Sequence, residues 1–274
     1  MIERLDAADV PGRNPGRAVL DARSPEAFAA GHLAGSGNVP APEFRERRAE
    51  LPPRDAAVLV VADDAAAAAR AAAALAALGY LHVAWLDAPL ETIEGGLADR
   101  SPPARLWRPS PFLERELPGL PRGAALDLAA GSGREAVFLA LHGFTVEAWD
   151  RAPEALERAA ALAARHGVEI RCVVRDLERR GAALPAGCYD LVTVFRFLHR
   201  PLFDRIARAL APGGHLVYET YLVGQERFGR PTHPRFLLRP GELAEAFPGL
   251  ENLHYEESDP PEGPVMARLH ARRR

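Results

Sequence analysis

The chain of 274 residues contains no lysine, so its 34 basic residues are all arginine, and it holds only two cysteines and two methionines. Blocks of like charge are also missing, so the arginine bias reads as composition rather than as a device for binding polyanions. Against 37 acidic residues the net charge is −3, a balance that argues against a nucleic-acid footprint, which needs a basic stripe. The closing Arg272-Arg273-Arg274 reads as a solvated end. Two cysteines make no disulfide framework: Cys172 falls in an expected strand and Cys188 in a surface turn before Tyr189. There is no Cys-x-x-Cys and no helical His-x-x-x-His pair, so no metal is expected. No apolar run is long enough to span a bilayer and Met1–Asp6 carries no apolar signal core. The expectation is therefore no membrane contact and a cytoplasmic location.

What is present centres on the run from Ala124 to Glu135, which reads as a buried strand, a glycine-pinched turn and a helix starting near Ser132. Gly131 and Gly133 let backbone approach a ligand, and the helix start directs free N–H groups at an anion. Gly131-x-Gly133-x-x-Ala136 also satisfies the dinucleotide fingerprint, which leaves a nicotinamide or flavin enzyme open. Asp127 stands four residues before Gly131, where that fingerprint usually has an apolar residue. A carboxylate there suits a cationic sulfonium and favours S-adenosylmethionine, although it also reads as a cap on the following helix. Asp150 closes a second strand at close to the ~20-residue offset at which an acid accepts both ribose hydroxyls; both cofactors predict it. Leu210 to Gly214 reads as a helix end and a Pro-Gly-Gly turn before a strand running to Thr220.

Together these segments resemble class I S-adenosylmethionine-dependent methyltransferases over residues 105–274. Leu126-Asp127-Leu128 through Trp149-Asp150-Arg151 is similar to the bacterial tellurite-resistance methyltransferases, as are Phe236–Leu243 and Val265–Leu269 near the end. Ala129-Ala130 stands where that family more often has Gly-Cys, and alanine is tolerable at position 129 if its φ is negative. The alternation of elements predicts an α/β fold with a Rossmann-like, seven-stranded, mostly parallel sheet whose last strand is antiparallel. Its strands begin near Ala124, Thr145, Glu169, Asp190, Gly214, Asn252 and Val265. Right-handed crossovers then bring Asp127, Asp150, Asp176 and Phe195 to one edge.

The resemblance implies S-adenosylmethionine as cofactor, bordered by Asp127, Ala129, Gly131, Gly133, Arg134, Asp150, Arg151, Asp176, Leu177 and Phe195. Gly131 and Gly133 pass the methionyl part, Asp150 holds the ribose, and Asp176 with Leu177 meets adenine. Asp176 has a plainer reading as a turn acid beside Arg175 and Arg179. The acceptor belongs beneath the insertion at residues 221–234, read as a cap, with Phe112, Arg196, Phe197, Arg200 and Tyr221 as candidate walls. If the acceptor is a hydroxyl or amine, His199 or Glu219 takes its proton; a thiolate or reduced chalcogen needs no base. Phe197 reads equally as helix packing, His199 as a cap, and Arg196 and Arg200 as solvated charges.

Upstream, the polar, proline-rich residues 99–106 after Gly95-Gly96 read as a linker between residues 1–98 and 107–274. Val19–Phe28, Gly31–Pro40 and Leu75–Leu86 resemble a rhodanese domain, a small α/β sulfurtransferase fold, over roughly residues 3 to 98. The resemblance puts the persulfide-carrying cysteine at Ala62, the loop glycine at Ala65 and the loop arginine at Ala67. Asp63 and Asp64 cap the next helix and repel anionic donors, so the domain is expected to be inactive. The expected whole is a methyltransferase for a small molecule, such as a thiol or chalcogen oxyanion. Alternatives are a tRNA or other nucleic-acid methyltransferase and a non-catalytic two-domain binding scaffold. A homodimer or partner contact through the rhodanese-like domain is left open.

Overall fold

A computed structural model describes residues 2–7, 16–93, 96–179, 181 and 183–274. The chain divides into two compact units, Met1–Arg108 and Pro109–Arg274.

The N-terminal unit contains β1 (Glu3–Leu5), β2 (Ala18–Asp21), α1 (Pro25–Ala30), β3 (Gly37–Asn38), β4 (Ala57–Val61), α2 (Ala65–Ala77) and β5 (His82–Leu86). Its sheet is parallel throughout, in the order β1-β5-β4-β2-β3. Central β4 is apolar at every position because both of its faces are covered: Val58 and Val60 join one core cluster, Leu59 and Val61 the other. The alanine-rich α2 buries Ala68, Ala71, Ala72 and Leu75, a stripe at helical spacing, and small side chains let it lie close to the sheet. Residues 99–106 do not hang free as a linker. His32 and Asp99 exchange backbone hydrogen bonds, the Ala104 N–H donates to the Ser36 carbonyl, and a Cβ on Gly37 would collide with Leu106. Of the Gly95-Gly96 pair, Gly95 lies outside the described residues.

The C-terminal unit runs α3 (Pro111–Glu116), β6 (Ala124–Leu128), α4 (Arg134–Leu141), β7 (Thr145–Asp150), α5 (Pro153–Arg165), β8 (Arg171–Val174), β9 (Tyr189–Phe195), α6 (Phe203–Ala209), β10 (Leu210–Tyr221), α7 (Glu242–Glu245), β11 (Leu250–Ser258) and β12 (Met266–Arg273). The seven strands lie in the order β11-β12-β10-β9-β6-β7-β8. β6 pairs in parallel with β7 and β9, and β12 is antiparallel to both β10 and β11. The chain winds outward from β6 through β7 to β8, then returns to the other side of β6 with β9. That reversal opens a crevice at the carboxyl ends of β6 and β9, where a doubly wound sheet takes its ligands.

Two local expectations change. α4 starts at Arg134 with Gly133 as its cap, two residues after Ser132. The Pro212-Gly213-Gly214 run is an irregularity within β10, where the register against β9 shifts between Leu210 and His215, rather than a turn that precedes the strand. Glycine is needed there because a Cβ on Gly214 would stand 2.8 Å from the Tyr189 carbonyl oxygen.

Candidate functional site

A cavity of about 770 Å³ opens at the carboxyl ends of β6 to β10, a size typical of small-molecule sites. β6 supplies Ala129 just beyond its end, β7 supplies Asp150 and Arg151, and β8 leads into Arg175, Asp176, Leu177 and Glu178. β9 leads into Arg196, Phe197 and Leu198, and β10 ends in Thr220 and Tyr221. The remaining wall is the segment after β10, through Arg230, Pro231, Thr232, His233, Arg235 and Phe236. This segment leaves and rejoins the body at one narrow base: the Leu238 N–H donates to the Tyr221 carbonyl and the Val223 N–H to the Leu238 carbonyl. Gln225 pins it further, its buried side-chain oxygen accepting the Val265 N–H at 2.9 Å.

Asp150 is the best-prepared group in the cavity. Its Oδ2 accepts the Gly131 N–H and its Oδ1 the Ala152 N–H, each at 2.9 Å. Each oxygen keeps a lone pair for one further donor, so the carboxylate is oriented before any ligand arrives. Gly131 has φ +54° and open space where a Cβ would stand, which suits close approach by a ligand. Gly133 is glycine for another reason. At φ +77° its Cβ would lie 2.6 Å from that of Ala159, so it sets the packing of α4 on α5.

The only non-glycine residues at positive φ among those described are Ala129 (φ 57°) and Arg196 (φ 54°), and both line the cavity. The negative φ at which alanine would be tolerated without strain is thus not adopted: the backbone keeps the left-handed turn that glycine makes elsewhere, at a cost of about 1–2 kcal/mol. Strained backbone of this kind concentrates where a scaffold over-determines a ligand contact. Arg196 is held by its own N–H, which donates to the Glu219 carbonyl at 2.8 Å.

Of the residues expected around the donor, Ala129, Asp150, Arg151, Asp176 and Leu177 line the cavity, and of those around the acceptor, Arg196, Phe197 and Tyr221 do. Asp176 is also a turn acid, though through the Glu178 N–H rather than through Arg175 or Arg179. Gly131, Gly133, Arg134 and Phe195 flank the crevice without forming its wall.

Five expected site residues stand off the cavity wall. Asp127 is buried, its Oδ1 accepting the Thr193 hydroxyl at 2.8 Å while Oδ2 has no partner. Its carboxyl lies near Glu135 and Ala136 in the first turn of α4 and is not part of the cavity wall. Burial, with the charges of Glu135 and Asp150 added, pushes its carboxyl well above the usual range; the Thr193 hydroxyl and the Ala136 N–H oppose this. Glu219 is buried under α3, where Ser110 Oγ and Arg268 Nε donate to it. His199 precedes the turn Arg200–Leu202, outside the cavity wall. Phe112 is buried in α3, edge-on to His254. Arg200 binds Glu242 through both carboxylate oxygens and donates to the Arg235 and Leu237 carbonyls, holding the base of the cap and drawing Glu242 down to about 2. Among the lining residues that sequence reasoning missed, Arg230 and His233 sit on the insertion flagged as a cap, and Arg235 and Phe236 follow directly after it.

Residues 125–214 match the family model of a methyltransferase domain, and residues 3–92 that of a rhodanese-like domain. TehB from Haemophilus influenzae shares the fold at TM-score 0.50 and 19% identity, over 60% of this chain and 61% of that one. Hemagglutinin 1 of Eikenella corrodens is 31% identical over 142 residues, 48% of this chain and 45% of that protein. An uncharacterized protein of Mycobacterium tuberculosis is 36% identical over 104 residues, 36% of this chain and 37% of its own. The chain spans less than half the length of these curated relatives. Among the described residues no helix is long and apolar enough to cross a membrane.

Proposed function

We propose that this chain, which joins a rhodanese-like domain to a methyltransferase domain, transfers a methyl group from S-adenosylmethionine to a small acceptor. The observation that carries the reading is Asp150, anchored by two backbone N–H groups at the end of β7 with a lone pair on each oxygen turned to account for a pair of ribose hydroxyls. Asp176 and Leu177 would border the adenine and Gly131 the methionyl part. When bound, the cofactor supplies an electrophilic methyl carbon. The chain's own work is to align the acceptor and exclude water, which Phe197, Tyr221 and the cap residue Phe236 do from the cavity wall. Asp127 does not discriminate a sulfonium from a dinucleotide, since it is buried and does not line the cavity; that distinction rests on the family match over residues 125–214.

Neither expected base reaches the cavity. His233 does, but its Nδ1 already accepts the Arg235 N–H at 3.2 Å, which leaves its other nitrogen as a donor. The arrangement therefore suits an acceptor that is nucleophilic without deprotonation by the protein, a thiolate or another ionised group. Calorimetric titration is expected to give S-adenosylhomocysteine binding in the micromolar range and no binding of a nicotinamide dinucleotide. The reverse order of affinities would remove the reading.

The rhodanese-like domain is a non-catalytic partner in this proposal. Residues 1–108 contain no cysteine, and Ala62 directly follows the central strand, where the nucleophile is required. The helix start that would cradle an anionic persulfide is occupied from within, Asp64 Oδ1 accepting the Ala67 N–H at 2.7 Å. Mixed with thiosulfate and cyanide, the protein is expected to make no thiocyanate, and Ala62→Cys is expected not to restore it while Asp63 and Asp64 remain. Thiocyanate from that variant would show that the two carboxylates do not repel the donor. Packing, self-association or partner recognition is the role that such a domain retains.

A further inference from the structure

The cavity carries opposite charges on opposite walls. Asp150, Asp176 and Glu178 stand at the ends of β7 and β8, while Arg196 follows β9 and Arg230 and Arg235 come from the cap. The two arginines on the acidic side are accounted for: Arg151 pairs with Glu178 at 3.8 Å, and Arg175 lies over the Trp149 ring at 5.0 Å. On the basic side, Arg235 lies over the Phe236 ring at 4.3 Å. Arg196 and Arg230 are exposed and have neither a carboxylate within ion-pair distance nor a ring contact among the described residues. Two such guanidinium groups on one cavity wall make it locally positive, an effect that solvent screens in part, and a bound sulfonium would add a further positive charge. A neutral or cationic acceptor leaves that charge in place; an anion offsets it, and guanidinium binds carboxylate and similar oxyanions through paired donors. Beside these arginines the walls are aromatic, Phe197, Tyr221 and Phe236. They suit a flat apolar body more than a bare inorganic ion.

We propose that Arg196 and Arg230 form an anion-recognition subsite that selects methyl acceptors carrying a carboxylate on an aromatic body. The strained backbone of Arg196 fits this role, since the left-handed conformation of a non-glycine residue is retained where it aims a side chain at a ligand. The subsite rests on the methyltransferase reading for its meaning but not for its existence, so it is tested with a ligand that is not methylated. Benzoate and its uncharged counterpart benzamide are titrated calorimetrically into the full-length protein, with and without saturating S-adenosylhomocysteine. Benzoate is expected to bind at least tenfold more tightly than benzamide, both with and without the cofactor product, whose thioether carries no charge. Arg196→Gln and Arg230→Gln are each expected to abolish that preference while changing S-adenosylhomocysteine affinity by less than twofold. Equal binding of benzoate and benzamide to the unaltered protein would overturn the subsite, as would a preference that survives both substitutions. A protein that ignores S-adenosylhomocysteine yet prefers benzoate through Arg196 would keep the subsite and discard the proposed cofactor.

Discussion

Asp150→Ala is expected to weaken S-adenosylhomocysteine binding at least a hundredfold while leaving the fold intact. Two hydrogen bonds from ribose hydroxyls to an ionised carboxylate are at stake, each of about 1.5–3 kcal/mol, and a factor of ten in affinity is about 1.4 kcal/mol. The substitution also strips the Gly131 and Ala152 N–H groups of their acceptor, so the turn between β6 and α4 loses the strut that ties it to β7. Both effects act on the same ligand. Asp150→Asn separates them in part, because the amide keeps one acceptor oxygen and presents an N–H₂ to the other backbone donor. It should fall between the unaltered protein and the alanine variant. Calorimetry measures the affinities, and thermal unfolding checks that the variants fold. Unchanged affinity in Asp150→Ala would mean that the carboxylate braces the turn without touching a ribose.

How much of this was legible in the sequence depends on whether the deciding contact is local. The strand, turn and helix from Ala124 to Leu141 announce themselves through apolar continuity, two glycines and the resumption of helical spacing, and Asp150 lies at a fixed distance along one β-α-β unit. The cap was legible because residues 221–234 interrupt the pattern of alternating elements. Glu219 was misread because the residue that claims it, Arg268, is its cross-strand partner 49 positions later, and nothing in the local spacing announces that pairing. Arg200 was misread for a similar reason, since Glu242 arrives from α7. The cap arginines were hidden by composition: in a chain whose only basic residue is arginine, no single arginine stands out until the fold shows which lack a partner. Glycines share this ambiguity. Gly131 and Gly133 look alike in sequence, yet one faces open space and the other the Cβ of Ala159.

Asp127 supplies the second large effect, one of stability. Its carboxyl is buried with Oδ2 unpartnered, and its folded-state pKa is raised well above the value it has in the unfolded chain. Below the unfolded value, both states hold the proton and the group is neutral to stability. Between the two values the unfolded chain releases its proton while the folded protein retains it, so the C-terminal unit loses stability as pH rises, until the folded carboxyl also ionises. Asp127→Asn removes the titration and keeps the shape, with an amide oxygen still able to accept the Thr193 hydroxyl. The variant is therefore expected to match the unaltered protein near pH 4 and to exceed it at pH 8, by roughly 1.4 kcal/mol for each unit by which folding raises the carboxyl's pKa. Urea unfolding followed by hydrogen exchange in peptides from β6 and β9 measures this in the C-terminal unit alone. A gain of equal size at both pH values would show that Asp127 does not titrate on unfolding; a loss at pH 8 would show that its negative charge stabilises the native state, and would redirect attention to a cation that approaches Oδ2 from the crevice side.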